Sequence, residues 1–221
     1  VAPLLLCDLD NTLIDRTAGF RIWATRFLAG HGIEGDGELD WLVAEDRDGL
    51  RDRLELFEAF RARHGMAEPA DRMRAAYRRE YPACQPPPDA ATLAALRSVR
   101  ARGWGVAVVT NGHSSQRAKI AHAGLRPLVD AVCVSTELGC RKPEPGIFEA
   151  AAAACGGQLA GAWMVGDSPE ADVAGAAACG LRSVWLRRGR RWPGGGVSPT
   201  FEADTFAAAV ELILSVRDLS E

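Results

Sequence analysis

The chain has 221 residues, 48% of them hydrophobic and 25% charged, with 26 Lys and Arg against 29 Asp and Glu. That composition excludes an intrinsically disordered protein and offers no basic footprint for nucleic acid. No run of about 18 apolar residues occurs, so no membrane-spanning helix is expected, and the length suits one sizeable core with a small accessory domain. The apolar start, Val1–Leu6, is short and lacks a basic leader, so it is not read as a secretion signal. Six scattered cysteines without a C-x-x-C pair suggest reduced core residues in a cytoplasmic protein, not a disulfide framework or a zinc site. Only Lys119 and Lys142 are lysines among the 26 basic residues, so a lysine at a suggestive place carries information.

Leu4–Leu9 reads as a strand covered on both faces, because it is apolar without polar alternation. The next such run comes only at Trp104. The interval contains segments of helical length and spacing: Thr17–Ala29, Glu38–Arg47, Leu50–Arg63 and Pro69–Tyr81. Phe20, Trp23, Phe27 and Leu28 share one helix face, and Leu50, Leu54, Phe57 and Phe60 another. Gly30-His31-Gly32 and His64-Gly65 supply stop signals. The stiff Gln85-Pro86-Pro87-Pro88 marks the return to the sheet. Residues 16–85 are therefore expected to form a helical domain inserted into a core of residues 1–15 and 86–221.

After that linker, Asp89–Arg102 reads as a helix and Trp104–Thr110 as the second strand. Strands at Ala131–Ser135, Trp163–Gly166 and Ser183–Leu186 follow, interleaved with helices at Ser114–Ala123, Pro145–Ala154 and Pro169–Cys179, and Thr205–Val216 ends the series. Alternation of this kind predicts an α/β fold with a doubly wound parallel sheet whose strand ends share one ligand-binding edge. The cluster Arg187, Arg188, Arg190 and Arg191 reads as solvated loop, and Arg16 and Arg21 as surface residues.

Polar residues gather where strands end. The first strand runs into Asp8-Leu9-Asp10-Asn11-Thr12, the second into Thr110-Asn111-Gly112, and the fourth into Gly166-Asp167-Ser168 with Asp172 shortly after; Arg141-Lys142-Pro143 lies in a loop. Period two points Asp8 and Asp10 the same way, and like charges that close call for a cation. Magnesium fits, since it takes octahedral oxygen ligation from one or two carboxylates plus phosphate. Asp8 and Asp167 are the expected ligands, with Asp172 orienting a bound water. Lys142 supplies a point charge to phosphate oxygens, and Thr110 and neighbouring N–H groups donate hydrogen bonds. The set reads as phosphoryl transfer in which Asp8 attacks phosphorus and Asp10 moves the proton.

These residues carry a resemblance. Asp8-Leu9-Asp10-Asn11-Thr12-Leu13, Thr110-Asn111-Gly112, Arg141 through Phe148 and Val165-Gly166-Asp167-Ser168 through Asp172 resemble the four motifs of the haloacid-dehalogenase-like (HAD) superfamily, in its phosphatase branch with a cap after the first motif. Glu144 stands where aspartate is commoner. The resemblance implies a Rossmann-like core with residues 16–85 as its cap. It also implies a magnesium-dependent phosphatase acting on a small phosphorylated metabolite, with Asp10 adding a backbone carbonyl to the metal and Asn111 a backbone amide to the phosphate. A monomer or homodimer is expected. A phosphosugar mutase of the same superfamily stays open, as do a phosphometabolite-binding protein without catalysis and a phospho-signalling domain. A dehalogenase would leave Asp10 without a role.

Overall fold

The computed structural model describes residues 2–194 and 196–218. In chain order the elements are β1 (Leu4–Cys7), α1 (Arg16–Gly30), α2 (Glu38–Asp46), α3 (Arg53–His64), α4 (Ala70–Glu80), α5 (Ala90–Ala101), β2 (Gly105–Thr110), α6 (Ser115–His122), β3 (Ala131–Val134), α7 (Ser135–Leu138), α8 (Pro145–Ala154), β4 (Trp163–Gly166), α9 (Gly175–Ala178), β5 (Arg182–Leu186), β6 (Phe201–Ala203) and α10 (Phe206–Asp218). All strand pairs are parallel, in the order β3-β2-β1-β4-β5-β6. The α/β fold is therefore the expected doubly wound one, with a helical region inserted after β1.

The sheet also has a sixth strand that periodicity does not reveal. β6 is three residues long at the sheet edge, and only Ala203 in it is buried. It contributes too little apolar pattern to stand out from the Pro/Gly-rich loop before it.

Strand alternation explains why these runs are apolar throughout. Leu5, Cys7, Val106, Val108, Val165 and Val184 face one layer, packed with Leu96 and Val99 of α5 and Phe206, Val210 and Ile213 of α10. Leu4, Leu6, Ala107, Val109 and Met164 face the other, against Ile147, Phe148 and Ala151 of α8. Successive side chains point to opposite faces, so a strand covered twice has no polar position to spare.

The chain divides into two compact units, one formed by residues up to Ile14 together with those from Pro87 onward, the other by Asp15–Pro86. The second holds α1–α4 around an aromatic core that includes Phe20, Trp23, Phe27, Phe57, Phe60 and Tyr77. Asp15 caps α1 by accepting from Ala18 N–H, and Asp52 caps α3 by accepting from Leu54 and Glu55 N–H. This cap sets the start of α3 at Arg53, so Leu50 lies outside the helix face expected of it and is 88% exposed.

Between α2 and α3, Arg47, Asp48 and Gly49 all have positive φ. Two of these lack the freedom of glycine, so the turn must be held. Asp46 holds it: the buried carboxylate accepts from Gly49 N–H, from both terminal nitrogens of Arg16 at 2.6 and 2.8 Å, and from Arg53. Arg16 is thus a buried structural cation and not the surface residue expected. Arg21 is exposed and pairs with Asp40.

Candidate active site

β1 lies between β2 and β4, where the strand order reverses direction, and open α/β sheets hold ligands at that crevice. Asp8 extends β1 by one residue, its N–H donating to Val165 O at 2.9 Å. The chain then turns sharply. Leu13 and Ile14 N–H both donate to Leu9 O, and Asn11 takes a left-handed φ of 63°, which asparagine tolerates better than most residues. Asp8 and Asp10 are thereby fixed beside the ends of the neighbouring strands.

Lys142 reaches into this edge from the loop between α7 and α8. It is 3% exposed, and its ammonium donates to Asp8 Oδ1 at 2.6 Å and Asp172 Oδ1 at 2.7 Å. Asn111 locks that loop: its Nδ2 donates to Lys142 O and its Oδ1 accepts from Lys142 N–H. The motif gives a role only to the backbone amide of Asn111; the side chain has a separate one, holding Lys142.

Asp172 is 1% exposed and both its oxygens are engaged, Oδ1 by Lys142 and Oδ2 by Ser168 N–H at 2.9 Å. It packs so closely over the end of β4 that a Cβ on Gly166 would lie 2.2 Å from its Oδ2. Glycine is needed there for close approach.

Asp8, Asp167 and Asp172 each offer a carboxylate oxygen, all within 4.8 Å of one another. Burial is the main reason the Asp8 carboxyl is pushed up to about 7; Lys142 opposes the rise, and Asp172 and Asp167 add to it. Burial likewise raises Asp167 to about 6, with Asp172 adding and Arg188 and Arg190 opposing. Lys142 is pulled the other way. Burial disfavours its charge, but Asp172 and Asp8 more than offset that and hold the ammonium charged. Crowded carboxylates that resist ionising are relieved by a hard cation, so this donor set fits a metal site of the kind a hard divalent ion takes.

Several residues near the site escape sequence reading. Arg188 and Arg190, expected as solvated loop, each donate to Asp167 Oδ2 at 3.2 Å, while Trp185 Nε1 donates to Asp167 O at 2.9 Å. Asp10 is gripped by Lys119, at 2.7 and 2.9 Å to its two oxygens, and by Gln116 Nε2 at 2.7 Å. Gln116 also donates to Thr110 Oγ1 at 2.7 Å. The one signal available was the scarcity of lysine, for both lysines of the chain are buried on site carboxylates. Cys7, adjacent to Asp8, is fully buried in β1, and burial pushes its thiol far up, as suits an inert core residue.

Residues 3–180 match the family described as haloacid dehalogenase-like hydrolase. The chain belongs to that family. Among relatives of this hydrolase, a phosphoserine phosphatase from Thermus thermophilus is 42% identical over 115 residues, 52% of this chain and 44% of that protein. The chain thus spans less than half the length of that relative. A phosphoglycolate phosphatase from Cereibacter sphaeroides is 31% identical over 86% of this chain and 87% of its own. In fold, the hydrolase is similar to the magnesium-bound HAD-hydrolase YfnB from Bacillus subtilis, with a TM-score of 0.81 at 20% identity over 96% of this chain and 98% of that one. Among the described residues no helix is long and apolar enough to cross a membrane.

Proposed function

We infer that this hydrolase is a magnesium-dependent phosphatase that cleaves a small phosphomonoester through an aspartyl-phosphate on Asp8. The observation that carries the reading is the convergence of Asp8, Asp167 and Asp172 with a charged, buried lysine between two of them. Its support from relatives is that two of them are phosphatases of small phosphorylated acids, phosphoserine and phosphoglycolate. YfnB, the fold relative, is bound to magnesium.

Each residue has a role in this reading. Asp8, Asp167 and the Asp10 carbonyl would hold a magnesium ion, which when bound would supply positive charge to the phosphate oxygens. Lys142 neutralises further phosphate charge from a fixed position, braced by Asp172 and by the Asn111 latch. Thr110 accepts from Gln116, which leaves its own O–H to donate to phosphate, and the Asn111 amide donates beside it. Asp8 attacks phosphorus. Asp10 gives a proton to the departing alkoxide, then takes one from the water that hydrolyses the acyl-phosphate, which returns Asp8 to its starting form. The helical unit is read as a cap that presents the substrate-selecting side chains.

The test is phosphate release from a panel of phosphorylated acids, sugars and nucleotides, with magnesium and with chelator. Release from at least one compound is expected, lost with chelator and lost in Asp8→Asn while that variant keeps its circular dichroism. An active Asp8→Asn enzyme would overturn the reading. Transfer of phosphate to a second hydroxyl without release would point to the mutase instead.

A further inference from the structure

We propose that Gln116 and Lys119 are positioning residues that hold the Asp10 carboxyl where it exchanges its proton with the leaving group. The inference rests on the phosphatase reading and adds to it two residues outside the motifs. They lie three apart on α6, so they share a helix face directed at β1 and β2. Both are buried, Gln116 at 3% exposure and Lys119 at 5%. Burying an ammonium is costly unless it is paired, and Lys119 meets both oxygens of Asp10. The two N–H bonds of Gln116 reach Thr110 Oγ1 and Asp10 Oδ2, which makes its amide a strut between the end of β2 and the turn after β1.

The backbone makes room for this strut. A Cβ on Gly112 would lie 2.8 Å from Gln116 Cγ, so glycine at that position lets the side chain pass. An untethered aspartate would rotate among several rotamers, and a proton donor works only within hydrogen-bond reach of the oxygen it serves. The Lys119 charge also compensates the negative charge that Asp10 gains as the bond from its oxygen to hydrogen breaks and the new O–H bond forms on the departing alkoxide.

The experiment compares kcat/KM for an alkyl phosphomonoester, whose alkoxide needs a proton to leave, with that for p-nitrophenyl phosphate, whose phenolate does not. Lys119→Met is expected to slow the alkyl ester by about 10-fold or more while changing the aryl ester by less than about 3-fold. Gln116→Leu also releases Thr110, so it is expected to slow both esters, and the alkyl ester by about 10-fold more than the aryl one. Lys119→Arg, which keeps a donor to both oxygens, is expected to recover most of the alkyl rate. A merely structural role would lower both esters by the same factor, and that result, or an unchanged alkyl rate, overturns the proposal. If Lys119→Met does not fold, Gln116→Leu carries the same comparison. Asp10→Asn run in parallel separates the two claims. A selective loss of the alkyl ester there, without any in the α6 variants, defeats the positioning role alone. No selective loss in Asp10→Asn defeats the proton role of Asp10 and the inference with it.

Discussion

At the scale of single residues, the carboxylates at the end of β1 and β4 are held in a state that costs stability. The ordinary aspartate value is 3.8, whereas burial lifts Asp8 to about 7 and Asp167 to about 6. Between those limits the folded chain binds more protons at these groups than the unfolded chain does. Stability from them is therefore greatest at low pH and is lost as pH rises through the window from 3.8 to about 7. The thermal midpoint of metal-free protein is expected to fall across that window, and Asp8→Asn, which cannot ionise, is expected to lose less. Equal falls in both proteins would remove this account of the site. Gly166 tests the packing around the same carboxylates. Gly166→Ala sets a Cβ into the Asp172 carboxylate and should cost about 1–3 kcal/mol in urea unfolding, with activity lost as Lys142 loses its brace. An unchanged midpoint with full activity would show that Asp172 can move aside.

At the scale of elements, the most instructive piece is the turn between α2 and α3. Its three left-handed residues are held by one buried carboxylate that also neutralises Arg16 and Arg53. Asp46→Ala removes the acceptor from all of them and leaves the buried Arg16 with only Asp48, at 3.9 Å, as a carboxylate neighbour. The expected loss is about 3–5 kcal/mol, read as a lower urea midpoint, because breaking a buried pair from one side leaves the other charge stranded. A loss within about 0.5 kcal/mol, typical of a surface substitution, would mean that Arg16 finds water or another partner. The loop after β5 shows the converse. Its arginines have the composition of a solvated segment, yet Arg188 and Arg190 turn back onto Asp167. Composition reports what a loop could tolerate; it does not report which way a long flexible side chain points.

At the scale of the whole molecule, much of the architecture was legible because it follows from periodicity. Five strands are mostly apolar and lack polar alternation because both faces of the sheet are covered. The helices α1–α4 are legible because aromatic residues recur at helical spacing. Boundaries were less so: the Asp52 cap begins α3 later than the apolar pattern suggests, and β6 is too short to leave a pattern. The candidate site positions, Asp8, Asp10, Thr110, Asn111, Lys142, Asp167 and Asp172, could be singled out because they stand in four motifs whose order is local text, and the structure brings Asp8, Lys142, Asp167 and Asp172 together.

By itself, then, the sequence determined the strand and helix order, and so that Asp8, Thr110 and Asp167 stand at strand ends sharing one edge. Those features depend on interactions within a few residues and on a rule of handedness that holds for any parallel sheet. Only the tertiary structure decided which side chains brace them. Asn111 meets Lys142 across 31 positions, Lys119 meets Asp10 across 109, and Lys142 meets Asp8 across 134. Contacts so distant along the chain leave no local pattern, because they exist only once both layers of the sheet have packed and burial has made an unpaired charge too costly to keep.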